Sequence, residues 1–343
     1  MKIDYSKIIK KDIEKLLLDK NMNIAAADGL FEYCFYTAKK RAKVEDFLEL
    51  NLDDQEDKYF YQTRILPAIK EIKISDYQDN YYRKKIKPEP YKGHGYELAY
   101  LTVKPYQCLP YDDIDIDKDY VEVSRIGYFK EPFSYLAVMK DNVVWMSTDP
   151  NEINTMKQPI SGAKGRVLTF GLGLGYFAIM CAKKEDVSSV TIIEKDPKII
   201  EIFKKHILPT FEFKDKIHII EADAIDYTRK NNLSDLYDYL FIDIWHNPED
   251  GLPLYLKFKR LLKNEKLVVS YWLEKSILAM YRRCLLTIIE ENMMGYTKKN
   301  YLKSENEYDD IINELYFKTE NVKFSSIDEI KRFLQDNNLL KLI

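Results

Sequence analysis

Glycine and cysteine are scarce in this sequence, and long apolar segments are missing. Only 11 of the 343 residues are glycine, whereas domains usually contain ~7%. The four cysteines, Cys34, Cys108, Cys181 and Cys284, form no C-x-x-C pair, which is typical of buried thiols in a reducing compartment. No segment approaches the ~18 apolar residues of a membrane span. Residues 1–20 are charged throughout and lack a signal core, so we predict a cytoplasmic protein without membrane association.

A strong excess of either charge is also missing. The sequence has 53 basic and 56 acidic residues, and its net charge is −3. This balance argues against a protein built to coat nucleic acid. The hydrophobic fraction of 46% and the charged fraction of 32% are typical of a packed protein rather than a disordered one. The length predicts about two domains, or one large domain with an extension.

The scarce glycines are concentrated in one stretch, Val167 to Ala178, which reads VLTFGLGLGYFA. The apolar residues at its start predict a strand, and Tyr176–Ala182 predict a helix. Gly171, Gly173 and Gly175 between them predict a tight turn, because the missing Cβ atoms permit positive φ and close approach of a ligand. The free N–H groups of the helix start would face that ligand. A glycine-rich turn without a ligand is the alternative.

Further apolar segments follow the turn and are separated by helical patterns. They are Val190–Ile193, Ile217–Ile220, Tyr239–Ile242 and Leu267–Ser270. Continuously apolar strands spaced by helices predict an α/β fold with a doubly wound, mostly parallel sheet. Right-handed crossovers would bring the C-terminal ends of these strands to one edge, where ligands of such folds bind.

Acidic residues follow two of these strands. Glu194 lies 19 residues after Gly175, close to the ~20-residue offset at which an acid meets ribose hydroxyls. Alternatively, Glu194 is a solvated residue at the end of a strand and binds no ligand. Asp223 with the N–H of Ala224 is suited to bind an adenine edge, since the carboxylate accepts from an exocyclic amine and the N–H meets a ring nitrogen. Asp223 is equally suited to cap a helix, and the two roles are compatible.

The spacing of the glycines distinguishes two kinds of nucleotide cofactor. In the dinucleotide pattern G-x-G-x-x-G counted from Gly171, Tyr176 occupies the position that needs a small residue for close helix–strand packing. The observed G-x-G-x-G, with acids ending the second and third strands, resembles the class I S-adenosylmethionine-dependent methyltransferases. The resemblance covers about residues 160–295 and implies a Rossmann-like sheet.

This resemblance implies a cofactor and roles for the residues that carry it. The cofactor would be S-adenosylmethionine, with its methionine part wrapped by the three glycines. Glu194 would hold the ribose, and Asp223 with Ala224 would hold the adenine. The family usually has an acid two residues before the first glycine, where this sequence has Thr169. How the amino group is held is therefore open.

The fourth predicted strand continues into the sequence FIDIWHNP, residues 241–248, where this family places groups near the transferred methyl. Methyl transfer requires alignment of donor and acceptor and, for some acceptors, removal of a proton. His246 is the predicted base, because an imidazole accepts a proton near neutral pH. Asp243 is predicted to orient it or to bind an acceptor amine. Trp245 would line the pocket or belong to the core, and structural roles for His246 and Asp243 also stay open.

A small β unit ahead of the glycine turn is similar to that of spermidine-synthase-type proteins. Those aminopropyltransferases carry an Asp-x-x-Asp-Pro pattern, of which this sequence keeps Asp243 but has His246 and Asn247 in place of the second acid and the proline. Leu174 stands where they often carry an acid. We therefore predict methyl transfer to a small-molecule acceptor. An aminopropyl or alkyl transferase and a non-catalytic nucleotide-binding protein are the alternatives.

Three units are predicted along the chain: a helical N-terminal unit (1–95), a small antiparallel β unit (96–148) with a turn at Asp141–Asn142, and the Rossmann-like unit with a C-terminal extension (149–343). The helical unit is either a packing module that makes a homo-oligomer or a substrate lid. The tyrosines and lysines of residues 77–111 suit either nucleic-acid binding or a solvated linker, and the acidic run at 112–117 disfavours nucleic acid.

The sequence also predicts local structure in the N-terminal and C-terminal parts of the chain. Amphipathic patterns predict helices at 4–19, 22–50 and 54–73, the second with a core stripe of Phe31, Cys34 and Phe35. Pro67 should kink the third helix or mark its start. Residues Tyr316–Val322 read as a strand, and Lys298 to Asp310 as a charged surface excursion. No metal is predicted, because His94, His206 and His218 do not pair with Cys or Asp at metal-ligand spacing.

Overall fold

A computed structural model describes residues 1–5, 10–40, 43–295 and 303–343, with mixed α/β structure. The strands are β1 (Lys2–Ile3), β2 (Ile69–Glu71), β3 (Tyr91–Gly93), β4 (Tyr96–Val103), β5 (Cys108–Pro110), β6 (Asp115–Ile116), β7 (Glu122–Val123), β8 (Ile126–Tyr128), β9 (Phe133–Lys140), β10 (Val143–Ser147), β11 (Gly165–Phe170), β12 (Val187–Glu194), β13 (Ile217–Glu221), β14 (Tyr239–Ile242), β15 (Val268–Tyr271) and β16 (Lys323–Phe324). The α-helices are α1 (Lys10–Lys40), α2 (Val44–Phe47), α3 (Gln55–Phe60), α4 (Ser75–Gln78), α5 (Tyr81–Lys85), α6 (Pro150–Thr155), α7 (Lys157–Gly162), α8 (Tyr176–Ala182), α9 (Pro197–Ile202), α10 (Ala224–Lys230), α11 (Leu233–Leu236), α12 (Pro248–Leu261), α13 (Glu274–Met293), α14 (Glu307–Thr319), α15 (Ile327–Phe333) and α16 (Asp336–Leu339).

The largest sheet has five parallel strands in the order β13-β12-β11-β14-β15. Chain order therefore runs outward from β11 in both directions, an arrangement that is consistent with a Rossmann-like fold. Every residue of β14 is buried, and its apolar sequence is what a strand covered on both faces requires. In sheets with this strand order, ligands bind outside the C-terminal ends of the strands at the point where the order reverses, which here is the end of β11.

A second sheet is antiparallel, with the order β10-β9-β4-β3. Asp141 and Asn142 form the predicted turn between β9 and β10, and both have positive φ, 51° and 64°. Positive φ at both turn residues matches the twist of the two strands, and Asp and Asn tolerate it better than most residues. The strands of this sheet carry side chains to the edge of the parallel sheet, where Trp145 contacts His246 and Tyr96 contacts Asp196.

The first predicted helices are wrong in their boundaries. A single helix, α1, spans Lys10–Lys40 in place of the two predicted at 4–19 and 22–50, because no proline interrupts the pattern at their junction. Residues 6–9 and 41–42 of those predictions lie outside the described part. The predicted core stripe is also wrong, since Cys34 is buried but Phe31 and Phe35 are 59% and 67% exposed. The helical period places Leu30 and Cys34 on the buried face and turns the two phenylalanines away from it.

Two further local predictions are corrected. The predicted helix 54–73 ends well before its limit, because α3 passes into a π-helical turn, Tyr61–Ile65, that stops ahead of Pro67. Leu66 keeps helical backbone angles, but Pro67 has no N–H to continue the helical hydrogen bonds, so the chain turns at residues 66–68 and β2 follows. The predicted strand Tyr316–Val322 is mostly helical, since α14 continues to Thr319. The predicted surface excursion Lys298 to Asp310 lies partly outside the described residues.

None of the described helices has the length and apolar character needed to cross a membrane.

Candidate functional site

The predicted cofactor residues lie along one edge of the parallel sheet. The N–H of Gly171 donates to the carbonyl of Ile193, and the N–H of Asp243 donates to the carbonyl of Phe170. Glu194 ends β12 in register with Glu221, and Asp223 follows two residues later. The glycine turn, Glu194, Asp223 and Asp243 therefore meet at the C-terminal ends of adjacent strands, although they are far apart in sequence.

The glycine loop, residues Gly171 to Gly175, has left-handed backbone at each glycine, with φ of 92°, 51° and 71° at Gly171, Gly173 and Gly175. A Cβ at Gly171 would lie 2.0 Å from the carbonyl oxygen of Asp243, so only glycine permits this approach of two strand ends. A Cβ at Gly173, by contrast, would have no atom within 4 Å apart from those of the adjacent residues. The loop is tight on its protein side and has free space at its middle glycine.

Glu194 is fixed by two backbone amides. Its Oε2 accepts from the N–H of Leu172 at 3.0 Å, and its Oε1 accepts from the N–H of Asp196 at 2.9 Å. The residue is half-buried. A carboxylate has about four lone-pair sites, so both oxygens keep the capacity to accept from a ligand hydroxyl. The side chain is thereby held in one orientation before any ligand arrives.

Asp223 caps α10, as one of its two predicted roles requires. Its Oδ1 accepts from the N–H groups of Ile225 at 2.9 Å and Asp226 at 3.0 Å. Among the described residues, Oδ2 of Asp223 has no hydrogen-bond donor, and the side chain is exposed. Ala224 is buried at the first position of the helix. One oxygen of Asp223 therefore serves the helix, and the other keeps its capacity to accept a hydrogen bond.

Two carboxyl groups beneath the loop have strongly shifted pKa values. Burial, followed by the charge of Glu194, raises the pKa of Asp243 to about 7. Burial, followed by the charges of Asp243 and Asp149, raises the pKa of Glu152 on α6 well above its usual range. A buried carboxyl group whose ionisation is opposed by a neighbouring carboxylate favours either a retained proton or a bound cation. The interior of the site is therefore suited to positive charge.

Glu152 was not predicted as a site residue. Asp149 at the N-cap and Pro150 at the first position start α6, and the side chain of Asp149 accepts from the N–H of Glu152. These residues therefore fix the first turn of the helix, on which Glu152 lies. The only signal in the sequence is an acid on the helix that precedes the glycine strand, which by itself matches many solvated helices. The structure adds the information that this helix packs over the strand ends: Trp272, just after β15, donates from Nε1 to the hydroxyl of Thr155 at 2.9 Å.

His246 is oriented by Asp250 rather than by Asp243, which the sequence had offered for this role. Its Nδ1 lies 3.0 Å from Oδ2 of Asp250. Asp250 is itself fixed, since it forms a capping box with Asn247 at the start of α12. The imidazole is half-exposed, and Nδ1 is the ring nitrogen that Asp250 holds. Trp245 is buried, and its Nε1 donates to the carbonyl of Trp272 at 3.2 Å, so it is part of the core.

The β9–β10 hairpin forms a wall across the open side of this edge. Trp145, at a bulge in β10, packs edge-on against His246 with ring centroids 4.4 Å apart. Lys140 lies over the rings of both Trp145 and Tyr96. The hydroxyl of Tyr96 in turn donates to Asp196 at 2.6 Å. The second sheet thus contacts the loop after β12 and the loop after β14 at the same time.

Comparison with known proteins gives structural neighbours only. No protein-family model matches the chain, and no curated protein matches it. A spermidine synthase from Thermotoga maritima is 18% identical with a TM-score of 0.31, and its alignment covers 44% of this chain and 58% of that chain. A spermidine synthase in complex with the transition state analogue AdoDATO is 18% identical with a TM-score of 0.33, over 44% of this chain and 60% of that chain. A putative SAM-dependent methyltransferase from Streptococcus mutans is 17% identical with a TM-score of 0.30, over 43% and 44%. The chain therefore spans about three fifths or less of each of these proteins. Its own strand order is the evidence for the type of its parallel sheet.

Proposed function

We propose that this protein transfers the methyl group of S-adenosylmethionine to a small-molecule acceptor. One observation carries the proposal: a glycine loop that is open at Gly173 lies beside a carboxylate, Glu194, which is fixed on the amide of Leu172 at 3.0 Å. The loop offers room and backbone donors to the amino-acid end of a nucleoside ligand. The carboxylate next to it offers two acceptors to vicinal hydroxyls. A nucleoside with an amino-acid substituent fits both at once.

The adenine end would lie at the next strand. Oδ1 of Asp223 already binds the amides of Ile225 and Asp226, which leaves Oδ2 to accept from an exocyclic amine. The N–H of Ala224, at the first position of α10, would donate to a ring nitrogen. Free N–H groups at a helix start favour electron-rich ligand atoms.

The chemistry requires little from the protein beyond alignment. The acceptor atom forms a bond to the methyl carbon, the carbon–sulfur bond breaks, and its electron pair remains on sulfur, giving S-adenosylhomocysteine. A proton released by the acceptor passes to His246, whose Nδ1 is held by Asp250. Asp243 and Glu152, whose pKa values are raised by burial and neighbouring negative charge, would ionise more readily beside the positive sulfonium.

A second candidate is transfer of an aminopropyl or similar alkyl group from a decarboxylated donor. It is favoured by one observation, the pair Asp243 and Glu152, since neighbouring carboxyl groups with raised pKa values suit a bound amine. Against it stand Leu174 and His246, which replace acids of the spermidine-synthase pattern.

Binding measurements separate the candidates. Isothermal titration of the wild-type protein with S-adenosylhomocysteine, decarboxylated S-adenosylmethionine and NAD⁺ should give saturable binding of the first. Preferential binding of the decarboxylated compound supports the second candidate, and binding of NAD⁺ alone refutes both. A metabolite extract with labelled S-adenosylmethionine then reports turnover through S-adenosylhomocysteine. Donor binding without turnover in any extract favours a non-catalytic nucleotide-binding protein.

A further inference from the structure

A short N-terminal segment, residues 80–82, contacts the glycine loop directly. Tyr82 is only 1% exposed, and its hydroxyl donates to the carbonyl oxygen of Leu174 at 2.6 Å. Asn80 donates from Nδ2 to the hydroxyl of Tyr176 at 2.7 Å. The chain separation between Tyr82 and Leu174 is 92 residues. A residue from outside the parallel sheet therefore reaches the middle of the loop that the proposed donor would occupy.

This hydrogen bond acts on a specific peptide group. The carbonyl of Leu174 and the N–H of Gly175 belong to the same peptide plane, and that N–H donates to the carbonyl of Leu172 at 2.7 Å. With Tyr82 on one side and Leu172 on the other, the plane cannot rotate without breaking a hydrogen bond. Gly173 and Gly175, which flank Leu174, have left-handed φ values and would otherwise permit several arrangements, because glycine has few steric restrictions.

The 80–82 segment is well anchored. Oδ1 of Asn80 caps α5 by accepting from the N–H of Arg83 at 3.1 Å. The guanidinium of Arg83 lies 4.1 Å from the ring centroid of Phe133 and donates to the carbonyl of Ser134 at 2.9 Å. Tyr82 therefore approaches the loop from an element that is tied to the antiparallel sheet, which fixes the position of its hydroxyl.

We propose that Tyr82 is a positioning residue for the donor, because it holds the glycine loop in the conformation that receives the amino-acid end of the ligand. The inference rests on the proposed function and extends it to the N-terminal part of the chain, where no motif is recognisable. Preorganisation of a loop increases affinity by removing the cost of ordering it on binding. Ligands that use the loop should depend on Tyr82, and ligands that lack an amino-acid end should not.

The test compares two ligands by isothermal titration at a temperature where every variant is folded. For Tyr82→Phe we expect about a tenfold loss of affinity for S-adenosylhomocysteine, the effect of one lost hydrogen bond at a buried acceptor. Affinity for methylthioadenosine, which has no amino-acid end, should stay within about twofold. The matched control is Tyr77→Phe: Tyr77 is equally buried, but its hydroxyl accepts from Asn154 at 3.0 Å, away from the loop.

The ratio of the two affinities is the decisive readout, because a merely structural role of Tyr82 would weaken the binding of both ligands alike. An unchanged ratio in Tyr82→Phe, or the same change in Tyr77→Phe, overturns the inference. If Tyr82→Phe does not fold, Asn80→Ala disturbs the same segment more mildly. It should lower the affinity for S-adenosylhomocysteine, relative to that for methylthioadenosine, about threefold, the effect of a weaker hydrogen bond. No change in Asn80→Ala overturns the inference as well. A wild-type protein that binds neither ligand refutes the proposed function itself, and the inference with it.

Discussion

The carboxylate of Glu194 accepts a hydrogen bond from the backbone amide of Leu172 at 3.0 Å. This contact joins the end of β12 to the glycine loop after β11, so the two predicted parts of the donor site form one unit. A change at Glu194 should therefore affect both the proposed ribose contact and the shape of the loop.

Glu194→Ala should lower affinity for S-adenosylhomocysteine by about 10- to 100-fold, because hydrogen bonds to a charged group contribute about 1.5–3 kcal/mol. Isothermal titration measures the loss. The control is Glu185→Ala, an exposed glutamate that precedes the opposite end of the same strand. Unchanged affinity in Glu194→Ala would remove the ribose assignment.

Asp243 should make stability depend on pH. Its folded-state pKa of about 7 lies above the ~3.9 of an unfolded carboxyl, so between these values the folded state holds a proton that the unfolded state has released. Its contribution to the free energy of unfolding therefore falls as pH rises through that window. At each pH the quantity to compare is the melting temperature of Asp243→Asn minus that of the wild type. This difference should be several degrees higher at pH 8 than at pH 4.5. Asp215→Asn, at an exposed site, should show no such difference, and equal shifts at both pH values in Asp243→Asn would contradict the assignment.

His246→Gln should separate turnover from donor binding. If His246 is the base, release of S-adenosylhomocysteine in the extract assay should fall about 10²- to 10⁴-fold, while affinity for the donor stays unchanged. Asp250→Asn, which weakens the contact to Nδ1, should cause a smaller loss. His218→Gln, at an exposed position near the start of β13, serves as the control. Full turnover in His246→Gln would show that the acceptor needs no base from this residue.

Arg64 provides a prediction about the N-terminal part of the chain. It is 0% exposed, and its guanidinium contacts Oδ1 of Asp19 at 2.6 Å and Oδ1 of Asn23 at 2.9 Å, both on α1. Arg64→Ala leaves the Asp19 charge buried and unpaired, which should cost about 3–5 kcal/mol in denaturant unfolding. Lys84→Ala, which removes the exposed pair with Asp79, should leave stability nearly unchanged, because solvent screens such a pair. Similar losses in both variants would contradict the structural role of the buried pair.

The sequence predicted the sheet edge better than the surroundings of the site. Gly171, Glu194, Asp223 and Asp243 were predictable because each lies at or within two residues of the end of a strand, and parallel strands end at a common edge. Local pattern is sufficient there. Whether these residues bind S-adenosylmethionine stays a prediction.

The walls of the site depend on contacts that no local pattern contains. Tyr82 meets Leu174 from 92 residues away, and Trp145 meets His246 from the other sheet. A tyrosine in a tyrosine-rich stretch has no sequence mark that distinguishes it from its neighbours. The same limit explains the error at Phe31, since hydrophobicity alone does not say which face of a helix meets the rest of the protein.

The most direct test of the account is the affinity of the wild-type protein for S-adenosylhomocysteine and for NAD⁺, measured side by side by isothermal titration. We predict saturable one-to-one binding of S-adenosylhomocysteine, with no binding of NAD⁺ at the same concentration, because Tyr176 occupies the position where the dinucleotide pattern needs a small residue. Binding of NAD⁺ without binding of S-adenosylhomocysteine would contradict the account.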